Sequence, residues 1–256
     1  MNSISLITNR LVWIDVMKII GMYFIVVGHM FPAHYEVLYT FSVPLFFIIS
    51  GYLAKRDSSE KSFWKKIAVC YMIPVMVLTA INTLFVWILK RGEISATILD
   101  YFITIATGAH SPGCSGLREL WFIYTLIALL VSYRYLSVKI LSFIILPATI
   151  LIAYYWNSHN IELWNAFANY CVALPFFLVG IYAKRYSTSI NAIGIPIRIS
   201  IVIAILCLAT LIVCAEYNGS PWMYINSYGR NFAVFIIGAL AGSFLVFIIA
   251  KILPPQ

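Results

Sequence analysis

Leu11-Val12-Trp13-Ile14-Asp15-Val16-Met17-Lys18-Ile19-Ile20-Gly21-Met22-Tyr23-Phe24-Ile25-Val26-Val27-Gly28-His29-Met30-Phe31 contains eleven Leu, Ile, Val or Phe residues, and its acidic and basic side chains are Asp15, Lys18 and His29. About 20 mostly apolar residues in a helix cover the roughly 30 Å of a bilayer's hydrocarbon. Asp and Lys each cost about 2.5 to 3.5 kcal/mol at the centre of such a helix, and each Leu, Ile, Val or Phe returns about 0.3 to 0.6, so the sums roughly cancel. The run is therefore a membrane helix only if its polar groups face a protein-lined or watery interior, or if Lys18 reaches for the membrane surface.

The rest of the chain repeats the apolar pattern. Of its 256 residues 62% are hydrophobic and 10% charged, and the mean hydropathy is +0.94, where a soluble domain carries about 25% charge. Eight stretches approach span length: Leu11 to Phe31, Tyr39 to Leu53, Ile67 to Leu89, Glu119 to Tyr133, Ile140 to Trp156, Ala168 to Ala183, Ile199 to Ala215 and Asn231 to Ala250. They are continuous rather than alternating, which argues for helices over a β-barrel. The expected fold is all-α, a polytopic bundle of about eight transmembrane helices forming a single domain over residues 1–256.

A net charge of +8 could suggest nucleic acid, but the placement of the basic residues follows the membrane. With a cytoplasmic amino terminus, Arg10, Lys55, Arg56, Lys61, Lys65, Lys66, Arg134, Lys139, Lys184, Arg185, Arg198 and Lys251 fall inside, and Lys90, Arg91, Arg118 and Arg230 outside. The positive-inside bias then puts both termini in the cytoplasm, with the lipid bilayer and not nucleic acid as partner. The first span continues into Gly28-His29-Met30-Phe31-Pro32 without a small-residue cleavage site, so it reads as a retained helix. Cys70, Cys171, Cys207 and Cys214 lie in spans and Cys114 in an outer loop, without paired spacing, and read as packing residues.

Two loops stand out. The inner one, Ala54 to Lys66, is hydrophilic, and the outer one, Lys90 to Arg118, holds an apolar segment too short to span. Pro44-Leu45-Phe46-Phe47-Ile48-Ile49-Ser50-Gly51-Tyr52-Leu53-Ala54-Lys55-Arg56 is echoed by Pro175-Phe176-Phe177-Leu178-Val179-Gly180-Ile181-Tyr182-Ala183-Lys184-Arg185. The echo is either a duplicated half or two inward helices that share small-residue packing and a basic stop.

The chemistry concentrates in the first helix. Eleven residues separate Lys18 from His29, which at about 100° per residue brings both to one face, about 16 Å apart along the axis. Asp15 is within i,i+3 reach of Lys18 and can hold its ammonium as an ion pair. A neutral imidazole beside a hydroxyl can take its proton during attack on an acyl carbonyl, which makes His29 a candidate general base. Plainer readings stand beside these: His29 as a helix-end histidine bonded to a carbonyl, and Lys18 as a surface-seeking anchor.

Arg10-Leu11-Val12-Trp13-Ile14-Asp15-Val16-Met17-Lys18-Ile19-Ile20-Gly21, leading to Val26-Val27-Gly28-His29, resembles the opening of the acyltransferase-3 family of membrane O-acyltransferases. Pro44-Leu45-Phe46-Phe47-Ile48-Ile49-Ser50-Gly51-Tyr52 resembles its Pro-x-Phe-Phe-x-x-Ser-Gly-Tyr helix, Leu120-Trp121-Phe122-Ile123 its Leu-Trp-Phe motif, and Phe176-Phe177-Leu178-Val179-Gly180-Ile181-Tyr182 a later one. The likeness covers roughly residues 10 to 185. It implies an Arg ten intervening residues before the His, both handling an acyl-CoA donor, and here Lys18 takes the Arg position. Lys keeps the charge but loses the planar fork, which bears on donor affinity rather than on base chemistry. Lys65 and Lys66 match the family's inner-loop basic residues, or are positive-inside anchors, while Tyr71 stands where the family's Arg before a helix-opening Pro would be. Family members commonly have about ten membrane helices, so a chain ending after an eighth is expected to be a short member or a truncated product.

Glu119 and Trp121, at an outer helix start, are candidate acceptor contacts through a sugar hydroxyl and a stacking face, or simply part of an interfacial aromatic belt. Ser50 lacks an identifiable partner base and reads as a packing residue. His34, His110 and His159 show no ligand spacing, so no metal site and no bound cofactor are expected. The resemblance implies a bacterial inner-membrane enzyme that transfers an acyl group, acetyl above all, from acyl-CoA to a hydroxyl of a surface or envelope glycan. In that scheme Lys18, Lys65 and Lys66 hold donor phosphates, and His29 deprotonates the acceptor or first carries the acyl group. The alternatives are a transporter or flippase with Asp15, Lys18 and His29 along its path, and a non-catalytic membrane subunit.

Overall fold

Backbone placed in hydrocarbon must hydrogen-bond to itself, and each of the eight apolar stretches forms a helix in the computed structural model, which describes residues 11–56, 59–89, 102, 105, 120–159, 165–187, 196–223 and 226–253. In chain order these are α1 (Val12–Gly28), α2 (Tyr35–Leu53), α3 (Glu60–Lys66, a π-helical Ile67–Met72, then Ile73–Leu89) and α4 (Trp121–Tyr135). They continue as α5 (Val138–Ile140, a π-helical Leu141–Ile145, then Leu146–His159), α6 (Asn165–Arg185), α7 (Ile197–Asn218) and α8 (Phe232–Ile252). Among the described residues the nearest thing to a strand is an isolated bridge between Trp222 and Ser227. Six of the helices are long and apolar enough to cross a membrane; α1 has 17 residues and α4 has 15. The protein is an all-α, multi-pass helix bundle.

Helix starts depart from the apolar boundaries where a polar residue caps the backbone. The hydrophilic loop expected up to Lys66 is already helical from Glu60, because the Ser59 hydroxyl accepts the Ser62 N–H at 3.3 Å. Glu60 in the first turn and Lys65 and Lys66 in the last turn of that segment complement its dipole. Ser137 opens α5 in the same way, accepting the Ile140 N–H at 3.2 Å.

The chain divides into two compact units. One comprises α1, α2, α7, α8 and the end of α6 from Val179, and the other α3, α4, α5 and α6 up to Leu178. In the first unit α1 and α2 form an antiparallel hairpin. Trp13 meets Tyr52 at 5.1 Å between ring centroids, Gly21 faces Leu45 and Phe46, and Gly28 faces Leu38 and Tyr39. Helix α8 lies against both, with Ile14, Met17, Phe41, Leu45, Ile49, Leu211, Val246 and Ala250 as the shared core.

Absent side chains set the close approaches. A Cβ on Gly242 would come within 2.5 Å of the Phe41 side chain, and one on Gly238 within 2.9 Å of both Cys214 and Thr40. The Lys251 end of α8 returns to the start of α1, its ammonium 4.7 Å from the Trp13 ring centroid. In the second unit Tyr170 donates to the Ser132 hydroxyl at 3.0 Å, and Tyr133 meets Phe177 edge-on at 6.0 Å, which joins α4 to α6.

Candidate functional site

Helix α1 buries the line Ile14, Met17, Gly21 and Gly28. By helical geometry Lys18 and His29 lie roughly a quarter turn from that line, on its margin rather than on the opposite face. The Lys18 ammonium sits 3.4 Å from Asp15 Oδ1, with the two side chains 42% and 29% exposed. The i,i+3 ion pair expected from the spacing is present, with the acid N-terminal to the base, the favourable order on a helix. The pair occupies the first half of α1, where Asp15 also complements the helix's N-terminal charge.

His29 closes the helix at the other end. Its backbone stays helical, φ −70° and ψ −9°, so the register from Lys18 is unbroken and one stripe carries both. The Ile25 carbonyl accepts the His29 backbone N–H at 3.2 Å and lies 2.7 Å from the imidazole Nδ1. A carbonyl has no proton to offer, so Nδ1 carries the hydrogen, and in the neutral ring the lone pair is then on Nε2. The bond that the plainer reading of His29 foresaw is thus the same one that leaves the ring in the tautomer a base requires. The side chain is exposed, and Tyr39 stands edge-on to the ring with centroids 5.9 Å apart.

The turn that follows is tight. The Phe31 N–H bonds to the Gly28 carbonyl at 3.0 Å, and Phe31 and His34 both take positive φ, 48° and 61°, an uncommon conformation for a bulky residue. His34 Nδ1 approaches Glu36 Oε1 at 3.5 Å.

Lys65 and Lys66 belong to the second unit, exposed on the last turn before the π-helical segment of α3. Tyr71, at the position where an Arg was expected, is within that segment and half-buried. Trp121 opens α4 with 8% exposure and meets Phe122 edge-on at 6.1 Å. Glu119 lies outside the described residues, as do Lys90, Arg91, His110, Cys114 and Arg118. Among the described residues no three His, Cys, Asp or Glu side chains cluster as metal ligands.

The structure also joins two arginines that lie far apart in the sequence. The Arg56 guanidinium donates to the Leu136 carbonyl at the end of α4, and the Arg134 guanidinium donates to the Arg56 carbonyl. Each cation also faces a ring, Arg56 over Tyr133 at 5.2 Å and Arg134 over Phe63 at 5.6 Å. Beside them the Trp64 indole donates to Tyr135 Oη at 3.2 Å, which donates to Glu60 at 2.9 Å. The polar ends of α3 and α4 are thereby fastened together, and no local motif announces it.

Comparison with known protein families matches residues 11–255 to the acyltransferase-3 family, described as "Acyltransferase domain". The match runs through α7 and α8, beyond the last motif recognised at Tyr182. Comparisons with curated proteins and with solved structures gave no match.

Proposed function

This chain belongs to the acyltransferase-3 family, and on that premise we propose that it transfers an acetyl group from acetyl-CoA to a hydroxyl of a cell-surface or envelope glycan. It would do so as a multi-pass enzyme of a bacterial inner membrane with both termini cytoplasmic. The sorting of basic residues to one side supports that orientation. The return of Lys251 to the Trp13 end of α1 supports it as well.

One observation carries the reading: the Nδ1–H bond of His29 to the Ile25 carbonyl, which reserves Nε2 for a proton. In the proposed step Nε2 takes the acceptor's hydroxyl proton as the oxygen attacks the thioester carbonyl. A C–O bond forms, the C–S bond breaks, and the thiolate recovers the proton from the imidazolium. Lys18, held by Asp15, would bind a donor phosphate as a point charge, and Lys65 and Lys66 are retained as proposed donor contacts in their own right. Glu119 and Trp121 are retained as proposed acceptor contacts.

The test uses the full chain reconstituted in lipid with labelled acetyl-CoA and candidate glycans, comparing His29→Ala with the wild type. Loss of a general base costs about 10²- to 10⁴-fold in rate. Undiminished transfer by the variant removes His29 from the mechanism.

A further inference from the structure

Four rings close a circuit around the turn between α1 and α2. His29 stands edge-on to Tyr39 with centroids 5.9 Å apart and planes at 81°. Tyr39 meets Tyr35 at 5.5 Å and 77°, and Tyr35 meets Phe31 at 5.6 Å and 82°. Phe31 is two residues beyond His29, so the series leaves the helix at the imidazole and returns to it through the chain. Tyr35 and Tyr39 are one turn apart on α2, and Phe31 is one turn earlier, aligned with them by a backbone at φ 48°. Positive φ in a bulky residue costs on the order of 1 kcal/mol and persists only where its surroundings demand it.

A second observation bears on the same contact. A Cβ added to Gly28 would lie 3.1 Å from Tyr39 Cε1 and 3.4 Å from Cδ1. The tyrosine ring therefore rests against the α1 backbone, one residue before His29, where a Cβ would press on it. The bond to Ile25 fixes one nitrogen of the imidazole and the Cβ tether a second point, but the ring can still tilt about the line that joins them. The edge-to-face contact removes that freedom, and such contacts contribute about 0.5 to 1.5 kcal/mol beyond their area.

We propose that Tyr39, admitted by Gly28 and braced by Tyr35 and Phe31, is a positioning residue that locks the His29 imidazole in its Nδ1–H form with Nε2 directed away from α1. The proposal rests on the reading of His29 as the base only for its effect on rate; its effect on the ring is separate. Misplacement of a reacting group by about 1 Å can cost 10²-fold in rate, so a loosened imidazole lowers kcat while donor KM, set elsewhere, stays in place.

The experiment takes the full chain in lipid, labelled with ¹⁵N-histidine, and reads ring nitrogen shifts by solid-state NMR alongside transfer kinetics. The His29 signals are those missing from His29→Gln. Wild type and Tyr39→Phe are expected to show one tautomer with Nδ1 protonated. Tyr39→Leu is expected to show both tautomers and a kcat about tenfold or more lower with KM for donor unchanged. Gly28→Ala, which displaces the ring by only a few tenths of an ångström, shifts both readouts in the same direction by less, and serves if Tyr39→Leu does not fold. A single unchanged tautomer in both Tyr39→Leu and Gly28→Ala overturns the proposal. Mixed tautomers with unchanged kcat support the positioning of the ring and overturn instead the reading of His29 as the base.

Discussion

The ammonium of Lys18 lies 3.4 Å from the carboxylate of Asp15, one turn earlier on α1. The pair is half-exposed, so its own contribution to stability is small, about 0.2 to 0.5 kcal/mol for such a pair on a helix. Its consequence is directional: the carboxylate holds the cation on the stripe that leads to His29.

Lys18→Arg is expected to keep or lower the KM for acetyl-CoA, since a planar fork can grip a phosphate through two bonds. Lys18→Ala is expected to raise it severalfold, and Asp15→Asn to have a smaller effect in the same direction, because the cation remains but is no longer held. Steady-state kinetics over a range of donor concentrations measure all three. Equal KM values across the series remove the phosphate contact.

Gly180→Ala is expected to destabilise the protein by more than the usual 1 to 3 kcal/mol or so of overpacking. A Cβ there would stand 2.0 Å from the Ile48 carbonyl oxygen and 2.7 Å from the Tyr52 nitrogen, both backbone atoms with no rotamer to yield. Thermal unfolding in detergent, followed by loss of helicity or by aggregation, gives the measurement; an unchanged midpoint contradicts the packing.

Arg134→Ala removes the bond to the Arg56 carbonyl and the cation over Phe63. Hydrogen bonds from a charged donor contribute about 1.5 to 3 kcal/mol. Proteolysis between α2 and α3 is expected to speed up in this variant, and Arg134→Lys to restore only part of the protection because its point charge lacks the fork.

Asn218→Ala strikes the turn between α7 and α8. The buried amide donates to the Tyr228 carbonyl at 2.7 Å and accepts the Asn231 N–H at 2.6 Å. Gly229, at φ 81°, passes so close that a Cβ would meet the Asn218 amide nitrogen at 2.3 Å. Truncation removes both of these bonds, at about 1 to 3 kcal/mol each. Faster hydrogen exchange at residues 226–231 than in the wild type checks it.

Much of the fold was legible because crossing a membrane is a local demand. A run such as Phe232–Ile252 declares itself by apolar length alone, and the caps at Ser59 and Ser137 move two starts, from Ile67 to Glu60 and from Ile140 to Val138. The spacing Gly238-x-x-x-Gly242 was also present as a signal for close helix approach, though not for Phe41 and Thr40 as the residues it meets. The crossing of Gly180 on Ile48 was half visible: the echoed motifs placed both residues in similar surroundings, yet nothing local said that the two helices would touch there.

The sequence by itself determined the membrane class, the eight long apolar helices of the described residues and the shared face of Asp15, Lys18 and His29, since hydropathy and the 3.6-residue period act over one helix at a time. Family membership was legible too, in motifs confined to single helices. Only the tertiary structure decided that Arg134 holds the Arg56 carbonyl and Arg56 the Leu136 carbonyl, across 78 and 80 residues of chain, and that Tyr39 rests on Gly28 beside the imidazole. Such contacts depend on how two helices meet, and no residue carries that angle or distance within its own neighbourhood.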